Sequence, residues 1–200
     1  MFRTFALAAG LFLAAASSVQ AQIWNIDSSH SAAQFAVRHM MVSTVRGDMG
    51  KITGAVSFDP AKPAAGSIEA TIDVTGINTR EAGRDKHLKS ADFFDVEKFP
   101  TFTFKSKRID PVPAGGFKVT GDLTMKGMTK EVVLDVEPLR PVIKDQRGNT
   151  RTGTTATTKL NRQDFGVTWS RALDGGGVVV SDEVSVTIDI QLISAPPAAK

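Results

Sequence analysis

Few side chains in this sequence could do chemistry, and most of them are more simply explained as structure. Asp27, His30 and Ser31 supply a carboxylate, a base and a hydroxyl, the parts of a nucleophilic triad. They lie too close along the chain to converge on one reacting centre without special geometry. A turn is the simpler reading, because Asp and Ser side chains bond the backbone amides just beyond them. His30, His39 and His87 are the three histidines, and three imidazoles can hold a catalytic zinc. Here they fall on a turn, a strand and a helix-compatible segment, which gives no reason for them to meet. Gly175-Gly176-Gly177 lacks the lysine and the following helix of a phosphate-binding loop. The chain has no cysteine, so disulfides, thiol nucleophiles, Cys-ligated zinc and iron–sulfur centres are excluded. No catalytic residue, metal or cofactor is expected, and a weak hydrolase or metal site around the histidines is the lesser alternative.

What the sequence offers instead is regular burial. Of 200 residues, 42% are hydrophobic and 22% charged, which suits one soluble globular domain. The 24 basic and 21 acidic residues form no block, so nothing points to nucleic acid. Ile68, Ala70, Ile72 and Val74 alternate with Glu69, Thr71, Asp73 and Thr75, the period of two that marks a half-buried strand. The same alternation puts Phe35, Val37 and His39 on one face, then Ile52, Val56 and Phe58, then Phe102 and Phe104. Phe117, Val119 and Leu123 follow, and after them Val132, Leu134 and Val136. The last run sets Val184, Val186, Ile188, Ile190 and Leu192 against Ser185, Thr187, Asp189 and Gln191. Breaks rich in Pro and Gly separate the runs, and Met125-Lys126-Gly127-Met128 reads as a tight hairpin. Strands joined in this way are antiparallel. Only residues 80–95 resist the pattern; Leu88, Ala91 and Phe94, three apart, predict a short helix followed by a turn.

The first 21 residues read as an address. Arg3, an apolar run from Phe5 to Ala16 and small residues before Ala21 make a secretory signal, cleaved after Ala21. That run is short for a membrane span, and no later stretch calls for stable membrane insertion. The domain is expected over residues 22–193, in the periplasm, with a flexible tail over residues 194–200.

Strands with one apolar and one polar face can stack as a sandwich or close into a barrel, and closure alone removes exposed edges. The expected fold is all-β: an antiparallel up-and-down barrel of about eight strands with one short helical segment near residues 80–95. Such a barrel is either filled by side chains or holds one small ligand, and periodicity does not separate the two. An outer-membrane barrel would carry girdles of Tyr and Trp; this chain has no Tyr, and Trp24 and Trp169 are its two Trp.

Several blocks, taken in order, resemble the YceI-like family of secreted bacterial proteins. They are Asp27-Ser28-Ser29-His30-Ser31 before Phe35-Ala36-Val37-Arg38-His39, Val42-Ser43-Thr44-Val45-Arg46-Gly47, and Arg84-Asp85-Lys86-His87-Leu88 with Asp92-Phe93-Phe94-Asp95. Phe99-Pro100, Thr120-Gly121-Asp122-Leu123-Thr124-Met125-Lys126-Gly127-Met128-Thr129, Asn161-Arg162-Gln163-Asp164-Phe165-Gly166-Val167 and Asp182-Glu183-Val184 complete the set. The resemblance implies a lipocalin-like barrel, an amphipathic helix packed at one side and no catalytic activity. It also implies homodimers, and an apolar tunnel for a polyisoprenoid, a quinone or another long-chain lipid. The stripes then become the tunnel wall: Phe35, Val37, Ile52, Val56, Phe58, Ile72, Val74, Phe102, Phe104, Phe117, Val119, Leu123, Leu134, Val136, Val186, Ile188 and Ile190, with Trp169. His39, Arg84, His87 and Arg162 are candidates to meet the ligand's polar head. Each also has a plainer role. His39 would be a hydrogen-bonded core histidine, Arg84 and His87 a solvated helix face, and Arg162 the ion-pair partner of Asp164. The alternative for the whole protein is a structural or stress-related exported barrel with a filled core and no ligand.

Overall fold

The computed structural model describes residues 22–59 and 62–194; the expected signal segment and all of the expected tail but Ser194 lie outside the described residues. The chain forms β1 (Gln22–Ile26), β2 (Ala32–His39), β3 (Ser43–Asp48), β4 (Lys51–Phe58), β5 (Ser67–Asp73), α1 (Ala82–Lys89), β6 (Thr101–Pro111), β7 (Phe117–Met125), β8 (Met128–Val136), β9 (Ile143–Lys144), β10 (Thr150–Asn161) and β11 (Val180–Ser194). Strands β11, β1, β4, β5, β6, β7, β8 and β10 neighbour one another in turn, all antiparallel, and the long β10–β11 ladder closes the ring. The result is an eight-stranded barrel. Along β11, β2 continues the line of β1, with Ile26 opposite Leu192 and Ala32 opposite Asp189. β3 likewise continues β4, so the first four strands are one long hairpin interrupted by the turn at residues 27–31.

Connections differ at the two ends. The turn end has the short links after β4 and β6 and the 137–149 loop. The helical end has the β2–β3 and β7–β8 turns, α1, the 3-10 turns Val74–Gly76 and Arg162–Phe165, and the 166–179 loop. α1 starts where the Glu81 carboxylate accepts from Gly83 N at 2.9 Å and Arg84 N at 2.6 Å, a side-chain cap on donors the helix cannot satisfy itself. It stops at Ser90, which is extended, so the segment expected over 80–95 is a short helix followed by turns.

Four strands, β1, β3, β9 and β10, were not evident from alternation, and β10 shows why. Its cavity-facing positions are Thr152, Thr154, Ala156, Thr158 and Leu160, and it ladders with β8 only at Ala156 and Thr157. The threonine hydroxyls complete the seam. Thr152 Oγ1 donates to Arg140 O at 2.7 Å, Thr154 Oγ1 to Glu137 O at 2.7 Å and Thr158 Oγ1 to Val133 O at 2.8 Å. Backbone acceptors that lack a ladder partner must be satisfied somehow, and here side chains do it. A strand with threonine on both faces carries no apolar period to read.

Candidate functional site

The barrel encloses a cavity of about 750 Å³, within the range of about 300–1,000 Å³ of pockets that enclose small ligands. All the expected wall residues line it except Val74. Val74 is fully buried, but it opens a 3-10 turn and packs with Phe102, Met125 and Phe165. The strand stops one residue earlier than its alternation suggested, because the Asp73 carboxylate accepts from Thr75 N at 3.0 Å and Thr75 Oγ1 at 2.6 Å. Two of the wall's rings lie over glycines. A Cβ on Gly47 would come within 2.7 Å of the Phe35 ring, and one on Gly121 within 2.5 Å of the Phe104 ring. The missing side chains make room for those rings. Trp24, Ile26, Phe165, Val167 and Val179 also line the cavity and were missed. The period of two in Trp24 and Ile26 could have flagged them, but the run ends at once in the Asp27 turn.

α1 presents Gly83, Arg84, His87 and Leu88 to the cavity, the three- and four-residue spacing that shares one helix face. Arg84 and His87 therefore lie on the cavity side of the helix, with the His87 side chain still 40% exposed. Arg84 Nε donates to Thr79 Oγ1 at 2.7 Å and Nη2 to Thr79 O at 3.0 Å, and among the described residues no carboxylate pairs with it. Thr79 is held in turn by Asp85, whose Oδ1 accepts from Thr79 N at 2.7 Å and Oγ1 at 2.5 Å. His87 Nε2 is 2.9 Å from Asp92 Oδ2, and its ring meets Phe93 and Trp169 edge-on at 4.9 and 5.2 Å. His39 lines the cavity at the same end. Its imidazole has no hydrogen-bond partner among the described residues, so it is not the hydrogen-bonded core histidine of the plainer reading.

Arg162 is different. Its Nε donates to Ser181 O at 3.0 Å, Nη1 to Val167 O at 2.6 Å and Trp169 O at 2.7 Å, and Nη2 to Val180 O at 3.3 Å and Asp182 Oδ1 at 3.0 Å. A guanidinium has five N–H donors, and all are engaged. The ion pair is with Asp182 rather than the expected Asp164. Arg162 lines the cavity, yet it has no donor left for a ligand's head.

Asp27, His30 and Ser31 form the expected turn rather than a catalytic group. Asp27 Oδ1 accepts from Ser29 N at 3.1 Å; Oδ2 accepts from Arg151 Nη1 at 2.6 Å and Gln191 Nε2 at 3.1 Å and is 3.0 Å from His30 Nδ1. Burial raises the Asp27 carboxyl, but Arg151, His30 and the Ser29 amide together hold it below its usual range. Ser31 Oγ is engaged elsewhere, accepting from Gln191 N at 3.0 Å. Beyond Arg151, Asp145 is held at about 2 by the guanidinium beside it and by Asn149. Among the described residues no group of His, Asp and Glu is arranged to hold a metal, and the three histidines are not brought together.

The fold and site define a class: a small closed antiparallel barrel around an apolar cavity with one helix at its rim. Residues 24–192 match the YceI-like domain, and the chain belongs to that family. It is 35% identical over 161 residues to a UPF0312 protein of Vibrio cholerae serotype O1, covering 80% of this chain and 85% of that one. The crystal structure of Burkholderia cenocepacia BcnA is similar with a TM-score of 0.68 at 28% identity, covering 85% of this chain and 99% of that one. A polyisoprenoid binding domain from Saccharophagus degradans, implicated in plant cell wall breakdown, shares the fold with a TM-score of 0.60 at 16% identity, over 86% of this chain and 98% of that one.

Proposed function

We propose that this chain is a non-catalytic carrier or sequestering protein, exported to the periplasm, that holds a long isoprenoid-type lipid such as a polyprenyl compound or a quinone. The observation that carries this reading is the apolar cavity of about 750 Å³ running inside the barrel. The β10 threonines in its wall, Thr152, Thr154 and Thr158, are already bonded to backbone carbonyls, so they present little unmet polarity. An isoprenoid chain has no hydrogen-bonding groups and is held by shape and burial, about 0.8 kcal/mol for each methylene removed from water. The relation in fold to a polyisoprenoid binding domain supports the same reading. The head would lie at the helical end, near Arg84, His39 and His87. A core filled by side chains would leave no cavity of this size, which favours the carrier reading over the filled barrel.

Native mass spectrometry of protein purified from its own host, followed by organic extraction, tests the proposal. A single lipid adduct released as a long apolar chain is the expected result. Ala156→Phe, which projects a ring into the cavity from β10, should lose the adduct while staying folded. A bare mass, together with no uptake of any long-chain lipid by the wild type, would overturn the proposal.

A further inference from the structure

The β2–β3 turn at the helical end carries side chains that its shape does not call for. Met40 and Met41 have φ of 50° and 62°, and Val42 N donates to His39 O at 3.1 Å. His39 pairs with Ser43, so the connection has three residues, and a turn whose two central residues both take positive φ favours Asn-Gly, because a bulky side chain is disfavoured there. The β7–β8 turn at the same end is one residue shorter, closed by Met125 and Met128, and shares the pair of positive φ, 49° at Lys126 and 74° at Gly127. It uses a glycine, and a lysine whose Nζ donates to Ala91 O at 3.0 Å and Gly166 O at 3.2 Å. Met40, Met41 and Val42 are instead 44%, 58% and 79% exposed. Strained backbone and three successive exposed apolar side chains both work against stability, a combination that points to function.

The tip is also continuous with the cavity. His39, just before it, lines the cavity, as does Val179, whose carbonyl accepts from Met40 N at 2.8 Å. Guanidiniums that have no carboxylate partner among the described residues stand around it. The Arg38 guanidinium donates to Met41 O at 3.3 Å and Thr44 Oγ1 at 2.9 Å, and Arg171 lies beside Val179, its backbone carbonyl accepting from Val179 N at 2.9 Å. Arg46 is exposed on the neighbouring β3. Asp174 sits in the adjoining 171–179 loop, and the β11 acids beside the end of β2, Asp182 and Glu183, are already paired with Arg162 and Lys159, so the unpaired charge around the tip is mainly positive. Apolar side chains ringed by arginines suit an anionic bilayer surface: the methionines enter the boundary below the headgroups while the guanidiniums meet lipid phosphates.

We propose that Met40-Met41-Val42 is a membrane-docking tip that seats the helical end of the barrel on an anionic bilayer, so that lipid passes between bilayer and cavity without crossing water. Docking stands on the turn and its surroundings, whereas lipid passage rests on the carrier reading above. The contact is peripheral; among the described residues no helix is long and apolar enough to cross a membrane.

The test compares wild type with M40N/M41G, which gives the turn residues suited to its backbone and should melt no lower. Co-sedimentation with phosphatidylglycerol–phosphatidylethanolamine vesicles should show the wild type bound, less so as salt rises. The variant should bind more weakly on the order of tenfold or more, given the apolar surface removed. Uptake of a fluorescent long-chain lipid from detergent should be unchanged in the variant, while uptake from vesicles slows. No vesicle binding by the wild type, or equal binding by the variant, overturns docking and leaves the carrier reading standing. Docking by a wild type that takes up no lipid from any source would keep the tip and sink the carrier reading. A tip change that dissolves a protein complex but spares vesicle binding would reassign the tip to a protein partner and overturn the proposal.

Discussion

Two arginines reach the cavity from the helical end, and they are held in opposite ways. Arg162 projects from the 3-10 turn after β10 and spends every donor on four carbonyls and Asp182. Arg84, from α1, uses only Nε and Nη2, both on Thr79, and has no ion pair among the described residues. A buried charge is tolerated only when it is paired and fully hydrogen-bonded, and Arg162 meets that condition from within the protein. Arg84 meets it in part. Residue type and cavity contact do not distinguish scaffold from site here; the count of unspent donors does.

The comparison can be broken most directly at Arg162. Arg162→Ala leaves four carbonyls, one buried and three partly buried, and Asp182 without their donor, and should lower the unfolding free energy by about 3 kcal/mol in urea titration. Arg162→Lys should recover only part, since three donors on a point charge cannot replace a planar fork. If Arg162→Ala melts like the wild type, the saturated network is not holding the loop.

Arg84→Met should act mainly on ligand. Affinity for a long-chain lipid with an anionic head is expected to fall about tenfold, or about 1.4 kcal/mol, with little change for an uncharged hydrocarbon of the same length. Equal losses for both would place Arg84 with Arg162 as scaffold. Thr154→Val tests the wall and should lower stability by about 1 kcal/mol, because Glu137 O loses its donor. The smallest effect lies outside the cavity, at Asp145. Its carboxyl is held at about 2, below the unfolded value of about 3.9. Its contribution to stability is therefore complete above about pH 4 and is lost as pH falls towards 2. Urea midpoints taken across that interval should drop in the wild type and drop less in Arg151→Ala.

Legibility in the sequence followed the same division. Apolar alternation revealed the wall strands, because inward Phe, Val and Ile carry their own period. It overshot only at Val74, where Asp73 turns the chain through a local bond that alternation does not register. β10 stayed hidden because its inward threonines answer to carbonyls on the 133–140 segment, a contact set by tertiary position. The spacing of Leu88 and Phe94, both of which line the cavity, pointed to the inner side of this segment, whereas Arg84 and His87 look like surface residues in isolation. Arg162's partner was misread because Asp164 is near in sequence, whereas Asp182 is brought close by the return of β11 along β10.

The Arg162 cluster also has a consequence for handling the protein. It ties Val167 and Trp169 to Val180, Ser181 and Asp182, closing the connection between two strands much as a disulfide would in a small exported domain. The chain has no cysteine, so this closure needs no oxidant and no isomerase. The rim loop is fastened equally well in an oxidising and a reducing compartment, and thiol reagents have nothing in this fold to undo.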